Sequence, residues 1–578
     1  MQQRSTTTDA VLLLALTLLI FQFGKLWRNY TKAKKTGLPV VLTPLLETQV
    51  LAQVLTPVLR AIYHEHLDKG QGWPRWCRFM IKDWTWEDKR RAFEEYGDVF
   101  ILVSTEGIIC YSADANMGWD VMNRRHDFTK PRDKYKILEL YGPNVATAEG
   151  AEYRFHVRIT APPLGDSSGV NELVWNETMC QTRTLLRQWE QESPEDLHED
   201  INALTLAVIS LAGFGKKLKS VKEQSQDIPS GFKISFLRAI SDTTSFMVAI
   251  LVFPAWLLKI TPLAKAHLAH AQLDKYLRAM LAEESVAIES GGNVKSKGPK
   301  GNLLQTVLKS AYDVLQEDKQ QEIGEKGKKV GFTQDEVLGN LFIYLLAGYE
   351  TTANAIAYGL IVIALEPQLQ KRIAAEVDNV WANAAAQGRS ELTYADDFSQ
   401  LQYMYGFMYE TFRLYPGVTL ITKMCHDAQS VQVGHTTHVL PPGCRVYLSS
   451  PGVHYNNMYW ENARELKPER WSKTNASTTN TILHGSTQAK SSSIAADKTR
   501  HMRGTLLTFS DGSRACLGRK FAQAEYIAFF AAMLHKFEVT FAEGVDVDRA
   551  RRDLDLKCAG KVTLAPLEGS RLMLRKRV

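Results

Sequence analysis

The ten residues Phe509-Ser-Asp-Gly512-Ser-Arg514-Ala-Cys516-Leu-Gly518 constrain this chain more than any other part of its sequence. They set one thiol between two glycines, with a cation two residues before it. Glycine permits bends and close backbone approach that a side chain would block. Arginine stays charged in any protein environment. From Leu517 the sequence turns helical (LGRKFAQAEYIAFFAAMLHKF), which predicts Cys516 at a helix N-terminus. Backbone N–H groups and the helix dipole stabilise a thiolate there. A lone cysteine in a glycine-rich turn is most often a buried structural residue. What sets this one apart is the complete pattern F-x-x-G-x-R-x-C-x-G.

Three further patterns precede it in a fixed order. Ala347-Gly-Tyr-Glu350-Thr351-Thr352 lies in a long apolar segment, and Thr333 and Glu336 have the spacing of a capping box that would start its helix. Gly348 in that helix costs roughly 1 kcal/mol relative to alanine, a cost that fits a helix passing close to a flat ligand and opening a groove beside it. Taken alone, Thr351 would be read as a mid-helix threonine bonded to its own backbone. Glu410-Thr-Phe-Arg413 puts opposite charges at i and i+3 on one helix face. Pro468-Glu-Arg470-Trp471 adds a second arginine.

In this order, A-G-x-E-T-T, E-x-x-R, P-E-R-W and the cysteine loop, the chain resembles the cytochrome P450 family from about Glu95 onward. The resemblance implies a mainly α fold with a minor β domain and a haem b cofactor (iron protoporphyrin IX). Cys516 would be the metal ligand, in a loop with Phe509, Gly512 and Gly518, and Arg514 would pair with a haem propionate. A proximal thiolate donates electron density that favours O–O cleavage. Glu350 and Thr351 would relay protons to the dioxygen site. Glu410, Arg413 and Arg470 would form a buried triad locking the cysteine loop, tolerable only with its hydrogen bonds complete. The segment FTKPRDKYKILELYGPNVATAEG looks most like fungal membrane-bound members, which often act in secondary metabolism.

The sequence departs from the family at the haem edge. The W-x-x-x-R pattern should fall within GAEYRFHVRITAPPL, but Tyr153 replaces the tryptophan and Val157 the arginine. A phenol can still bind a propionate; valine cannot. Arg154 and Arg158 lie near Val157 but off its direction on the helix, and which of them compensates is open. Lys423 matches another propionate cation of the family. By family position the substrate pocket would draw on the loop 134–144, the residues before Glu350 (Ala347 above all), the stretch from Val418 to Thr422, and the neighbourhood of Val562. These are mostly apolar and imply a lipophilic substrate.

Composition is ordinary for a globular protein, with 45% hydrophobic and 23% charged residues and a net charge of +6. The last gives no reason to expect nucleic acid. Strands are expected near 97–112, 430–450 and 537–575. Ala10–Trp27 reads as a membrane anchor, followed by Arg28, Lys32, Lys34 and Lys35, although its uncharged run is shorter than the ~20 residues of a standard span. Basic residues after the span place the following domain in the cytosol. The expected division is an anchor and basic stop at 1–36, a membrane-proximal linker and domain start at 37–94, and a catalytic domain at 95–578. This implies a single-pass protein of the endoplasmic reticulum. Segments 289–302, 316–330 and 472–500 read as polar surface insertions. Seven scattered cysteines suggest neither a disulfide framework nor a zinc site.

No G-x-G-x-x-G follows a strand, and the resemblance implies that electrons from NADPH come through a separate cytochrome P450 reductase, with cytochrome b5 as a possible second donor. Arg519 and Lys520 are candidate docking cations. The expected activity is monooxygenation of a lipophilic small molecule. The rivals are a P450-fold isomerase or ring-coupling enzyme, and a non-catalytic membrane haem carrier or sensor.

Overall fold

The computed structural model of the protein describes residues 2–191, 197–218, 228–289, 302–309, 332–471, 503–559, 562–567 and 571–577. The expected insertions 289–302, 316–330 and 472–500 lie outside these residues, apart from Glu289 and Asn302.

A helix that is apolar all round must be surrounded by protein or lipid. The central helix, Gln334–Leu365, is of this kind and is buried along nearly its whole length. It starts where the sequence predicts. The Thr333 hydroxyl accepts the Glu336 N–H at 3.3 Å, and the Glu336 carboxylate accepts the Thr333 N–H at 2.9 Å. Leu197–Phe214, equally apolar, packs along it, while Val170–Gln191 packs on Arg519–Leu534, the helix that follows the cysteine loop. A polar tie crosses this bundle. His156, on helix Gly150–Thr160, lies 3.2 Å from Glu336 and 3.1 Å from the Asn340 amide of the central helix. Burial pushes the His156 pKa down, against the pull of Glu336 and Asn340.

The β component is a six-stranded sheet and two hairpins. The sheet runs β1 (Val40–Leu42), β2 (Val99–Val103), β3 (Ile108–Ser112), β8 (Arg445–Ser449), β5 (Leu420–Cys425) and β4 (Phe128–Thr129). β1 with β2 and β3 with β8 are parallel, and the other neighbours are antiparallel. β6 (Gln429–Val433) pairs with β7 (Thr436–Leu440), and β9 (Phe537–Phe541) with β10 (Leu572–Lys576). The strands β1, β4 and β5 fall outside the expected strand regions. β1 and β4 have three and two residues, too short to show alternation, and take their conformation from the strands they join.

The N-terminal segment Gln2–Lys34 is one helix of 33 residues that exposes Leu13, Leu19, Phe23 and Trp27. Its C-terminal end is docked on the sheet, with the Asn29 amide donating to the Ser104 carbonyl at 2.9 Å. No single helix among the described residues is long and apolar enough to cross a membrane. The stretch 37–94 is more than a linker. It contains helix Val50–Asp68, and Trp73, Trp84 and Trp86 are buried in the two hydrophobic cores. Indoles of that size bury more apolar area than any other side chain, so this stretch is part of the packed domain.

Candidate active site

The cysteine loop is held by its own backbone. The Cys516 N–H donates to the Phe509 carbonyl at 2.8 Å, and Gly518 caps the helix beginning at Arg519. Gly512 has φ +66°, and a Cβ there would come within 3.0 Å of Met122 and Asn123. Gly518 lies beside the sulfur, where a Cβ would stand 4.0 Å from Sγ. Cys516 is exposed and lines a cavity. Burial raises its pKa, with the Gly518 N–H and the Arg519 guanidinium pulling the other way. The Phe509 ring packs on Phe412 at 5.6 Å.

Glu410, Arg413 and Arg470 meet below this loop. Both Glu410 oxygens are paired with Arg413 at 2.8 Å, and Arg470 Nε lies 3.4 Å from the same carboxylate. The Lys467 N–H and the Trp471 indole also donate to Glu410, at 2.8 and 3.1 Å. Arg413 spends its other donors on the carbonyls of His454, Ala463 and Glu465. A fully buried ion pair is tolerable on these terms, with every donor and lone pair engaged. His454 carries the lock to the loop: its Nδ1 contacts the Arg413 carbonyl and its Nε2 accepts the Leu507 N–H, both at 2.8 Å. Burial, with Arg413 beside it, pushes the His454 pKa down to about 3.

The wall facing Cys516 comes from the central helix. Ala347, Gly348, Thr351 and Thr352 share one cavity with Cys516, Arg514 and Tyr153. The Thr351 hydroxyl donates to the Ala347 carbonyl at 2.7 Å. That uses its only proton and leaves its lone pairs as acceptors. Glu350 points elsewhere. Its Oε1 accepts the Val562 N–H at 3.1 Å, the Thr563 N–H at 3.0 Å and the Thr563 hydroxyl at 3.1 Å. Its Oε2 is buried with no hydrogen-bond partner. Gly348 does not open a groove: the space a Cβ would fill is taken by Ile209, 2.7 Å away.

At the rim, Arg514 pairs with Glu149 at 2.8 Å, donates to the Val145 and Ala148 carbonyls, and stacks on the Tyr153 ring at 3.3 Å. The Tyr153 hydroxyl donates to the Ser513 carbonyl at 2.6 Å. Tyr153 therefore positions Arg514, and its phenol is not left free for a propionate as expected. Arg154 and Arg158 are exposed, so neither makes up for Val157. Lys423 is 3% exposed, with its pKa lowered to about 8 by burial and opposed by Glu149. Lys520 is paired with Asp166, which leaves Arg519 as the freer of the two expected docking cations.

Of the expected pocket residues, several before Glu350 line this cavity, Ala347 and Gly348 among them, while Val418, Thr422 and Val562 do not. Val418 and Val562 are 45% and 44% exposed, and Thr422 donates to the Tyr135 hydroxyl at 3.3 Å. The loop 134–144 gives way to its neighbours Val145 and Ala146. The cavity measures about 240 Å³, while clefts of 680 and 850 Å³ elsewhere contain none of the expected site residues. Chemistry, not size, marks the site.

The cytochrome P450 family model matches residues 73–559. The chain belongs to the cytochrome P450 family. It is 51% identical over 572 residues to "Cytochrome P450 monooxygenase ORF6" of Penicillium roqueforti, covering 97% of this chain and 96% of that protein. It is 50% identical to "Cytochrome P450 monooxygenase prx9" of Penicillium rubens over the same shares. In fold it is similar to the haem domain of cytochrome P450DA, with a TM-score of 0.66 at 18% identity, covering 94% of this chain and 98% of that one.

P450 membership makes the protein an oxidoreductase and implies a haem cofactor. The donors in this P450 fit that group: a sulfur bare to the cavity on one wall, Arg514 and a further cation, Lys130, lining it, and the buried Lys423 close enough to act on both. Two residues escaped the sequence reading. Lys130 is one. The other is Glu525, fully buried beside Thr352 with neither carboxylate oxygen hydrogen-bonded; burial pushes its carboxyl well above the usual range, with Thr352 pulling the other way. It lies on an otherwise apolar face of the helix after Cys516, and a carboxylate in such a run was the available signal.

Proposed function

We propose that this P450 is a membrane-associated haem-thiolate monooxygenase acting in fungal secondary metabolism. It takes electrons from NADPH through a separate cytochrome P450 reductase, with cytochrome b5 as a second donor. The reaction is R–H + O2 + NADPH + H+ → R–OH + H2O + NADP+, with R–H a lipophilic small molecule. The observation that carries this reading is the convergence of Cys516 and Thr351 on one cavity from separate parts of the chain. Relatives at about half identity, named monooxygenases in two Penicillium species, support the class and its setting.

Cys516 is the proposed iron ligand. Haem, when bound, supplies dioxygen activation at a thiolate-ligated iron. The Gly518 N–H and Arg519 favour the thiolate, against burial, which favours the thiol. Thr351, its proton committed to Ala347, offers lone pairs to a water proton in the cavity. Glu350 can pass protons only by leaving the Val562–Thr563 turn, or through its unpartnered Oε2. Ile209, Val145, Leu164 and Ile343 give the cavity an apolar lining that limits water.

Exposed apolar side chains on Gln2–Lys34 and on Met247–Val252 and Ala255–Ile260, among them Phe21, Phe23, Val252 and Trp256, support membrane association. We assign the protein to the endoplasmic reticulum, with residues 1–36 as a single-pass anchor and the catalytic domain in the cytosol. The test is the reduced carbon monoxide difference spectrum of the purified protein, then reconstitution with a P450 reductase. A red-shifted Soret band and substrate-dependent NADPH oxidation with a hydroxylated product are expected. A histidine-type band in fresh folded protein, or haem with no such turnover, would overturn the reading.

A further inference from the structure

The helix Gly150–Thr160 supplies no cation to the cofactor edge, because position 157 is valine and Arg154 and Arg158 face solvent. The same cavity nonetheless carries an extra cation from a distant part of the chain. Lys130 directly follows β4 and lines the cavity with Arg514, Tyr153 and Cys516. It is accessible in part, but its ammonium group is enclosed, donates to the Ala146 carbonyl and lies 4.6 Å from the centre of the Tyr135 ring. Burial lowers its pKa to about 7, helped by the cations of Arg514 and Lys423, with Glu149 as the opposing anion.

Charge matching gives this arrangement its meaning. Three cations, Lys130, Lys423 and Arg514, act on one another here, and Glu149 is the carboxylate among them. Glu149 is already engaged by Arg514 at 2.8 Å and by the Lys130 backbone N–H at 3.2 Å. Enclosing like charges with one counter-ion is costly unless further anions join them. A haem b brings two carboxylates, the number needed to neutralise the excess.

We propose that Lys130 is a haem-carboxylate anchor, supplying from the turn after β4 the cation that Val157 does not provide. The inference rests on the haem-thiolate reading above and deepens it. It moves an anchoring charge from a helix to the segment that joins the sheet to the cavity. Arg514 holds its place through Tyr153 and Glu149, and Lys130 through Ala146 and Tyr135.

The experiment uses purified holoenzyme whose wild type shows the thiolate carbon monoxide band, so failure of the haem-thiolate reading is seen before any variant is compared. Haem loss to excess apomyoglobin is measured for wild type, Lys130→Met and Lys130→Arg. Loss of a charge-assisted hydrogen bond predicts about tenfold or faster haem release from Lys130→Met. Lys130→Arg should stay within about threefold of wild type, because the charge is retained. Each protein is also reconstituted with haem and with its dimethyl ester. Wild type should bind the ester more weakly than haem, and that gap should narrow about tenfold in Lys130→Met. If Lys130→Met does not fold, Lys130→Gln takes its place in both measurements. Wild-type haem retention in the neutral variant, equal losses in the methionine and arginine variants, or an unchanged ester gap would each overturn the proposal.

Discussion

The seat of the cysteine loop and the helix wall that faces it treat buried polar groups in opposite ways. Beneath the loop, Glu410 accepts from Arg413, Arg470, Lys467 and Trp471, and Arg413 spends its remaining donors on three carbonyls. Across the cavity, Glu350 keeps one buried oxygen without a partner, and Glu525, reaching toward Thr352 from the helix after Cys516, is buried with neither oxygen paired and its carboxyl pKa raised by burial. An unpaired buried acceptor costs about 1–3 kcal/mol, so a structural role would select against it. The difference separates a region whose buried charges are fully paired from one that leaves buried carboxylate oxygens unpaired.

The comparison breaks most easily at Glu410. Glu410→Ala strands the buried Arg413 guanidinium, removes a partner from the half-buried Arg470, and should cost about 3–5 kcal/mol, seen as loss of soluble, haem-loaded protein. A stable variant with full haem would remove the lock from the comparison. Cys516→Ala should leave the seat intact and abolish the red-shifted carbon monoxide band; a retained band would dismiss this ligand. On the opposite wall, Thr351→Ala should keep haem and stability within about 1 kcal/mol, the net worth of one hydrogen bond. More of the NADPH consumed should then appear as peroxide, and an unchanged peroxide yield would strip Thr351 of its role.

A smaller effect sharpens the contrast at Glu350. Thr563→Val removes a donor to Glu350 and the acceptor of the Asn354 amide, and should lower stability by about 1 kcal/mol while altering peroxide yield. A stability change alone would make the turn merely structural. The smallest effect is at Glu525. Its folded pKa is raised, so its contribution to stability is complete below the unfolded pKa near 4.5 and is lost as pH rises from there through the folded value. Glu525→Gln escapes that loss. Its melting temperature should exceed that of the wild type at about pH 8, and the gap should shrink toward about pH 5. A pH-independent gap would show that Glu525 is ionised in the native protein.

The parts legible in the sequence are those encoded by short spacing. The capping box at Thr333, the pairing of Glu410 with Arg413, and the loop around Cys516 each depend on residues within one or two helical turns. What stayed hidden depends on partners far apart in the chain. Lys130 matters because folding brings it to Arg514. Glu350 and Thr351 adjoin in sequence, yet helical geometry sends them to different partners. The Tyr153 hydroxyl and the space beside Gly348 are taken by neighbours, Ser513 and Ile209, that no local pattern names. The strands β1 and β4 are too short to carry a period of their own.

His454 gives the seat a property of its own. Its ring accepts the Leu507 N–H through one nitrogen and meets the Arg413 carbonyl through the other, an arrangement only the neutral ring can satisfy. A proton added to Nε2 would turn a donor against a donor and unfasten the loop from the lock beneath it. With its pKa held at about 3, this joint does not titrate across the physiological range. Its stabilising contribution is whole above the ordinary histidine value of 6.5 and is lost progressively as the pH falls from there through about 3. The imidazole thus acts as an acid fuse, inert in the cell and set to release the cysteine loop only under denaturing acidity.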